Sequence, residues 1–181
     1  MACKRSPVRL RYSPPAIMRY LVLLLAVMAS ANHSRAQVND PLFNATLKTL
    51  LSHDVPEISV KDAVTRYDAV FLDAREKAEY DVSHIKGARY IGYDDFDFSR
   101  VKNLKQNQPL IVYCSVGYRS EKITEKLKTY GFSNVSNLYG GIFEWVNEGY
   151  KVYDNSGMTT EKVHAYDKTW GIWLKKGEKV Y

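Results

Sequence analysis

The stretch that decides the fold is Pro109 to Gly131, P-L-I-V-Y-C-S-V-G-Y-R-S-E-K-I-T-E-K-L-K-T-Y-G. Leu110 to Tyr113 is a continuous apolar run, as a strand buried on both faces requires. Ser120 opens a segment in which Ile123, Leu127 and Tyr130 recur at helical spacing, and Gly131 supplies the stop. Between strand and helix lies the loop Cys114-Ser115-Val116-Gly117-Tyr118-Arg119, with Ser120 as the expected helix cap. A thiol in this loop faces unpaired backbone N–H groups at the positive end of the helix. With Arg119 nearby, that placement favours the thiolate. A free cysteine is often only a small buried hydrophobe, and a glycine here could serve only the turn. Cys, Gly and Arg in one short loop, followed by Ser, point instead to a reactive site.

Three further segments carry the same message. Phe71-Leu72-Asp73-Ala74-Arg75 is followed by Glu79-Tyr80 and then by His84-Ile85-Lys86-Gly87-Ala88. Downstream stand Leu138-Tyr139-Gly140-Gly141-Ile142, Trp145 and Gly149. Together with Cys114-Ser115-Val116-Gly117-Tyr118-Arg119-Ser120, these resemble, in order, the signature elements of single-domain rhodaneses, a family of sulfurtransferases. The resemblance covers roughly Ile58 to Tyr153. It implies a rhodanese-like α/β fold, a five-stranded, mainly parallel sheet with helices on both faces. Alternation of strands and helices along the chain independently predicts α/β architecture. The loop then falls at the carboxyl end of a strand, where such sheets bind ligands.

The 181 residues suffice for one domain. The chain is basic overall, but its charge is unevenly spread. Residues 1–36 hold six of the 26 basic residues and no acidic ones, leaving 20 basic against 20 acidic residues beyond them. That balance removes a basic footprint for nucleic acid. Tyr20 to Met28 is a short apolar core behind a basic flank, followed by small residues through Ala36. The pattern is that of a secretory signal peptide over residues 1–36, too short to span a membrane. Residues 1–17 read as an upstream extension before Met18-Arg19. Cleavage after Ala36 is preferred, with Ala31 as the alternative. No cysteine follows the apolar core to take a lipid anchor. The protein is therefore expected to be exported, and periplasmic if its source is a Gram-negative bacterium. Cys3 leaves with the signal, so Cys114 is expected to be the one thiol of the mature chain.

Residues 37–57 read as a helix and linker: Asp40 caps, Pro41 takes the first position, and Phe43, Leu47, Leu50 and Leu51 form a stripe. Ser59-Val60-Lys61-Asp62 resembles a capping box opening a helix through Val64. Arg75 and Glu79 are candidates to pair, with Asp73 close by; these charges could be substrate groups, but locking the loop that leaves the strand is the preferred reading. His84 is expected to hydrogen-bond within its loop. Asp94-Asp95-Phe96-Asp97 lacks the spacing of a metal loop; a solvated turn is expected, with Asp97 capping a helix through Leu104. Gly140-Gly141 is expected to admit close backbone approach near the active loop. Residues 154–181 form an aromatic and basic extension. Within it Trp170, Trp173 and Leu174, at i, i+3 and i+4, could bury one helical face against the core; packing is preferred to the alternative, a recognition surface. The scattered histidines make no metal motif, and no cofactor or metal is expected.

The chemistry implied is transfer of a sulfane sulfur. Cys114 would attack the outer sulfur of a small anionic donor such as thiosulfate and become a persulfide. A thiol or cyanide acceptor, or a protein acceptor, would then remove the sulfur. Cys114 and Arg119 are the catalytic candidates. Ser115, Val116, Gly117, Tyr118 and Ser120 would surround the transferred sulfur with loop N–H groups, while Arg119 orients the anion. Ser115 departs from the basic residue common after the family's cysteine, and Tyr118 is bulky and neutral. Both argue against strong thiosulfate affinity. Two rivals remain: a non-enzymatic module that carries sulfur or binds a partner, and a cysteine phosphatase. The latter use C-x5-R, whereas Cys114 and Arg119 give the shorter C-x4-R.

Overall fold

The computed structural model describes residues 36–181. The expected signal segment lies outside them but for Ala36, as do Cys3 and His33. A five-stranded parallel sheet forms the centre, in the order β1-β5-β4-β2-β3. Its strands are β1 (Glu57–Ile58), β2 (Val70–Asp73), β3 (Arg89–Tyr90), β4 (Leu110–Tyr113) and β5 (Val135–Leu138). The middle strand β4 is buried along its length, and its alternation divides the core. Leu110 and Val112 join Leu72, Ile123, Leu127 and Val135 on one face. Ile111 and Tyr113 join Phe43, Leu47, Ile142 and Phe143 on the other. A continuous apolar strand is thus what a sheet covered twice demands.

Among the described residues five α-helices provide the cover: α1 (Pro41–Leu50), α2 (Val60–Ala63), α3 (Lys77–Val82), α4 (Tyr118–Thr129) and α5 (Gly141–Asn147). Asp40 caps α1, its Oδ1 accepting from Leu42 N at 2.9 Å and Phe43 N at 3.1 Å. Ser59 caps α2: its Oγ accepts from Asp62 N at 3.1 Å and donates to Asp62 Oδ2 at 2.6 Å. The carboxylate of Glu121 in α4, fully buried, accepts from Ser52 N and His53 N at 3.1 and 2.9 Å. That fixes the exit of α1 beside the start of α4.

Asp97 caps as expected, accepting from Ser99 N at 2.8 Å, but the helix it opens is one 3-10 turn, Phe98–Arg100, and does not run to Leu104. Val101 and Leu104 N–H groups bond three residues back, so the chain goes on as tight turns. The acidic run is spent locally: Asp95 pairs with Arg100 at 3.0 Å and accepts from Tyr90 Oη at 2.7 Å.

Beyond the sheet, β6 (Val152–Tyr153) pairs antiparallel with β7 (Thr159–Thr160), and β8 (Lys162–His164) pairs parallel with β9 (Glu178–Val180). A 3-10 turn, Trp170–Trp173, replaces the expected α-helical face. Leu174 is nevertheless fully buried, with Val163 and Ala165. Trp173 stacks on Phe43 with centroids 5.1 Å apart. The last segment therefore completes the core that α1 and α5 begin. Among the described residues no helix is long and apolar enough to cross a membrane.

Candidate active site

Cys114 is the first residue past β4 and is 1% exposed. Its Sγ accepts a hydrogen bond from Gly117 N at 3.1 Å. The loop closes onto α4 through Gly117, the true N-cap, at φ 123°, a conformation that an L side chain resists. Ser120 is not the cap, because the chain is already helical from Tyr118. Its hydroxyl lies 2.7 Å from Asn137 Oδ1 and 3.1 Å from the Gly117 carbonyl, which also accepts from Asn137 Nδ2 at 3.0 Å. Ser120 and Asn137 thus hold Gly117, and Gly117 holds the sulfur.

The loop's other side is clamped by α5. Ile142 N and Phe143 N donate to the Cys114 and Ser115 carbonyls at 2.9 and 3.1 Å. Gly141, at φ 57°, makes this approach possible, since a Cβ there would stand 2.4 Å from Cys114 O and 2.6 Å from Ser115 O. The expected role of the glycine pair is met at this position. Gly141→Ala is expected to cost roughly 1–3 kcal/mol and to cut turnover by displacing the loop. Wild-type melting together with wild-type turnover in this variant would contradict the clamp.

The charges pair differently from expectation. Arg75 does not pair with Glu79. Its Nη2 donates to Asp73 Oδ2 at 2.7 Å and to the Ser83 carbonyl at 2.6 Å, with all three residues fully buried. Asp73 is two residues away on the strand end and meets the guanidinium first. Burial works against the Arg75 charge, yet Asp73 more than offsets it and raises its pKa. Glu79 is left to Arg119, whose Nη1 and Nη2 donate to its carboxylate at 2.6 and 2.8 Å. Ser115 Oγ bridges the pair, donating to Glu79 Oε1 and accepting from Arg119 Nη2, both at 3.0 Å. A fourth donor, Glu76 N, reaches Glu79 Oε2 at 3.0 Å.

Three of the Arg119 N–H groups are thereby engaged, and the guanidinium carbon lies 4.9 Å from the Tyr166 ring centroid. Burial opposes the Arg119 charge, but Glu79, Cys114 and Tyr166 outweigh it and raise its pKa. Burial likewise pushes the Glu79 carboxyl up, while Arg119 and then Arg75 pull it down by more, so it sits below its ordinary value of 4.5. Glu79 therefore stabilises the fold fully above about pH 4.5, and this contribution is lost as pH falls through the lower folded value. The urea midpoint is expected to drop less steeply below that pH in Glu79→Gln than in wild type. Parallel curves would contradict the assignment.

A cleft of about 260 Å³ opens over the thiol. Cys114, Ser115, Val116, Tyr118 and Arg119 of the loop line it, together with Leu50, Tyr166 and Trp170. The loop residues named from the sequence thus come together, although Ser120 and Gly117 contribute from beneath the lining rather than within it. Asn137 and Leu50 were not foreseen as parts of the site, and for Glu79, Tyr166 and Trp170 the sequence favours a structural role over a functional one. Only the Glu79-Tyr80 pair, inside a signature element, and the aromatic spacing of the last segment signalled any of them. His84 stays outside the cleft, stacked on Tyr80 at 4.1 Å with Nδ1 3.2 Å from the Tyr80 carbonyl. Among the described residues no group of three or more His, Cys, Asp or Glu is placed to hold a metal ion.

A family model described as the Rhodanese-like domain matches residues 58–148. The chain belongs to the rhodanese-like domain family. It is 36% identical over 121 residues to a tRNA uridine(34) hydroxylase of Hamiltonella defensa, covering 63% of this chain and 33% of that protein. It is also 36% identical over 109 residues to the adenylyltransferase and sulfurtransferase UBA4 of Meyerozyma guilliermondii, covering 55% of this chain and 25% of that one. The chain therefore spans a third or less of these relatives' lengths. Among solved structures, it resembles the thiosulfate sulfurtransferase of Pseudomonas aeruginosa with a TM-score of 0.50 and 25% identity, over 58% of this chain and 21% of that one. The rhodanese-like sheet expected from the sequence is the sheet observed.

Proposed function

We propose that this rhodanese-like domain is a sulfurtransferase that carries sulfane sulfur as a persulfide on Cys114. The observation that carries the reading is the position of Sγ. Cys114 lines a cleft at the N-terminal end of α4, and a backbone N–H from Gly117 is directed at its Sγ. The N–H groups of a first helical turn have no carbonyl partner within the helix, and those of α4 are available to an anion held above the thiol.

The steps follow from that placement. The Cys114 thiolate attacks the outer sulfur of a donor such as thiosulfate. An S–S bond forms at Sγ, the donor's own S–S bond breaks, and its electron pair leaves with sulfite. An acceptor nucleophile then attacks the outer sulfur of the persulfide, and the pair of the broken bond returns to Sγ as thiolate. Gly117 N and the α4 terminus stabilise the anionic sulfur in both states. Arg119, held by Glu79 and Ser115, fixes the loop that carries the sulfur. The 20 basic and 20 acidic residues after position 36 support a small-molecule or protein acceptor over RNA. The basic flank and short apolar core near the N-terminus support action after export.

Steady-state kinetics with thiosulfate and cyanide are the test. The reading expects parallel double-reciprocal lines, the mark of two half-reactions, and no hydrolysis of a phosphate ester. Intersecting lines, or phosphate release without thiocyanate, would overturn it. The C-x4-R loop, one residue shorter than that of cysteine phosphatases, supports sulfur over a tetrahedral phosphate.

A further inference from the structure

The proposed transfer needs only a small donor at a thiol that is 1% exposed. The cleft above it is larger and differently lined than such a donor requires. Its far wall is Leu50 from α1 with Tyr166 and Trp170, all outside the segment that matches the family model. Val116 and Tyr118 add apolar and aromatic surface on the near side. The one cation lining it, Arg119, is bound bidentately by Glu79, so the charge offered to an incoming anion is already matched.

Tyr166 is held there at a cost. It has φ 65°, one of two non-glycine residues with positive φ among the described residues. Such a conformation persists only where the surroundings impose it. Here Tyr166 N donates to His164 Nδ1 at 3.1 Å, and the ring lies against the Arg119 guanidinium. The ring stays about half exposed, so it faces the cleft rather than being absorbed into the core.

Resting on the sulfurtransferase reading, we propose that Tyr166, Trp170 and Leu50 form an acceptor subsite, and that the acceptor is a thiol with an apolar, aromatic body. The buried Sγ admits a small donor. Once loaded, the outer sulfur lies one bond beyond Sγ in the cleft that these residues also line. A thiolate whose aromatic body stacks there attacks that outer sulfur. A new S–S bond forms to the acceptor, the bond to Sγ breaks, and its electron pair stays on Cys114. The acceptor leaves as its persulfide.

The full chain is loaded with thiosulfate, freed of donor, and discharged in single turnovers by phenylmethanethiol or by 2-mercaptoethanol, two alkyl thiols of similar acidity. Phenylmethanethiol is expected to discharge the persulfide about tenfold faster at limiting concentration, the scale of one good aromatic contact. In Tyr166→Asn, which keeps a residue tolerant of positive φ, that ratio is expected to fall towards one. Trp170→Ala is expected to lower it as well. A ratio of one in the wild-type protein, or an undiminished ratio in both variants, overturns the acceptor subsite while leaving the sulfurtransferase reading standing. Failure of wild type to load any sulfur overturns both.

Discussion

Cys114→Ser is expected to abolish sulfur transfer, with turnover falling to background for every sulfane donor. A serine oxygen is a poor nucleophile towards sulfur and cannot form a persulfide. The fold is expected to survive. Oγ is nearly isosteric with Sγ and can accept the same N–H from Gly117, which lies 3.1 Å from the sulfur. The loop backbone is set elsewhere, by Asn137 at the Gly117 carbonyl and by α5 at the Cys114 and Ser115 carbonyls. Melting should therefore stay within about 1 kcal/mol of wild type. Retained turnover would show that another group carries the sulfur. Lost turnover with a collapsed melting transition would show that the thiol is a packing residue.

Glu79→Ala is expected to be the most destabilising single change at the site. Its carboxylate is 3% exposed and accepts from Arg119, Ser115 and Glu76 N. Removing it strands a guanidinium whose side chain is only 12% exposed. Breaking a buried pair from one side costs about 3–5 kcal/mol. Glu79→Gln, which keeps the shape and some of the acceptors, should cost less and should retain a measurable share of turnover. Chemical denaturation of both variants checks this. A Glu79→Ala midpoint near wild type would mean that Arg119 finds water or another partner at no loss, and that the pair does not hold the loop.

Much of this arrangement was legible in the sequence because it is local. The run Leu110–Tyr113, the turn at Gly117 and the helical spacing of Ile123 and Leu127 each lie within one element. They place Cys114 at a strand end and a helix start without reference to the rest of the chain. Two elements left no such trace. β1 is two residues long and sits at the sheet edge, held by pairing with β5 rather than by a pattern of its own. α3, Lys-Ala-Glu-Tyr-Asp-Val, is six residues with no apolar stripe, and its role is to present Glu79. The pairing of Glu79 with Arg119 joins positions 40 residues apart, and spacing cannot choose between Arg75 and Arg119 as its partner. Asp73 decides that choice by taking Arg75 first. Tyr166 and Trp170 lay in a segment whose aromatic spacing read as core. Trp170, Trp173 and Leu174 do pack on the core, but Trp170 also lines the cleft together with Tyr166, which the periodicity did not indicate.

The measurement that bears most directly on the central claim is the intact mass of the protein after incubation with thiosulfate. One sulfur atom is expected to be added, located by peptide mapping at Cys114, and removed again by cyanide or a small thiol. Protein left unmodified by thiosulfate and by other sulfane donors, or sulfur found at a residue other than Cys114, would contradict the account.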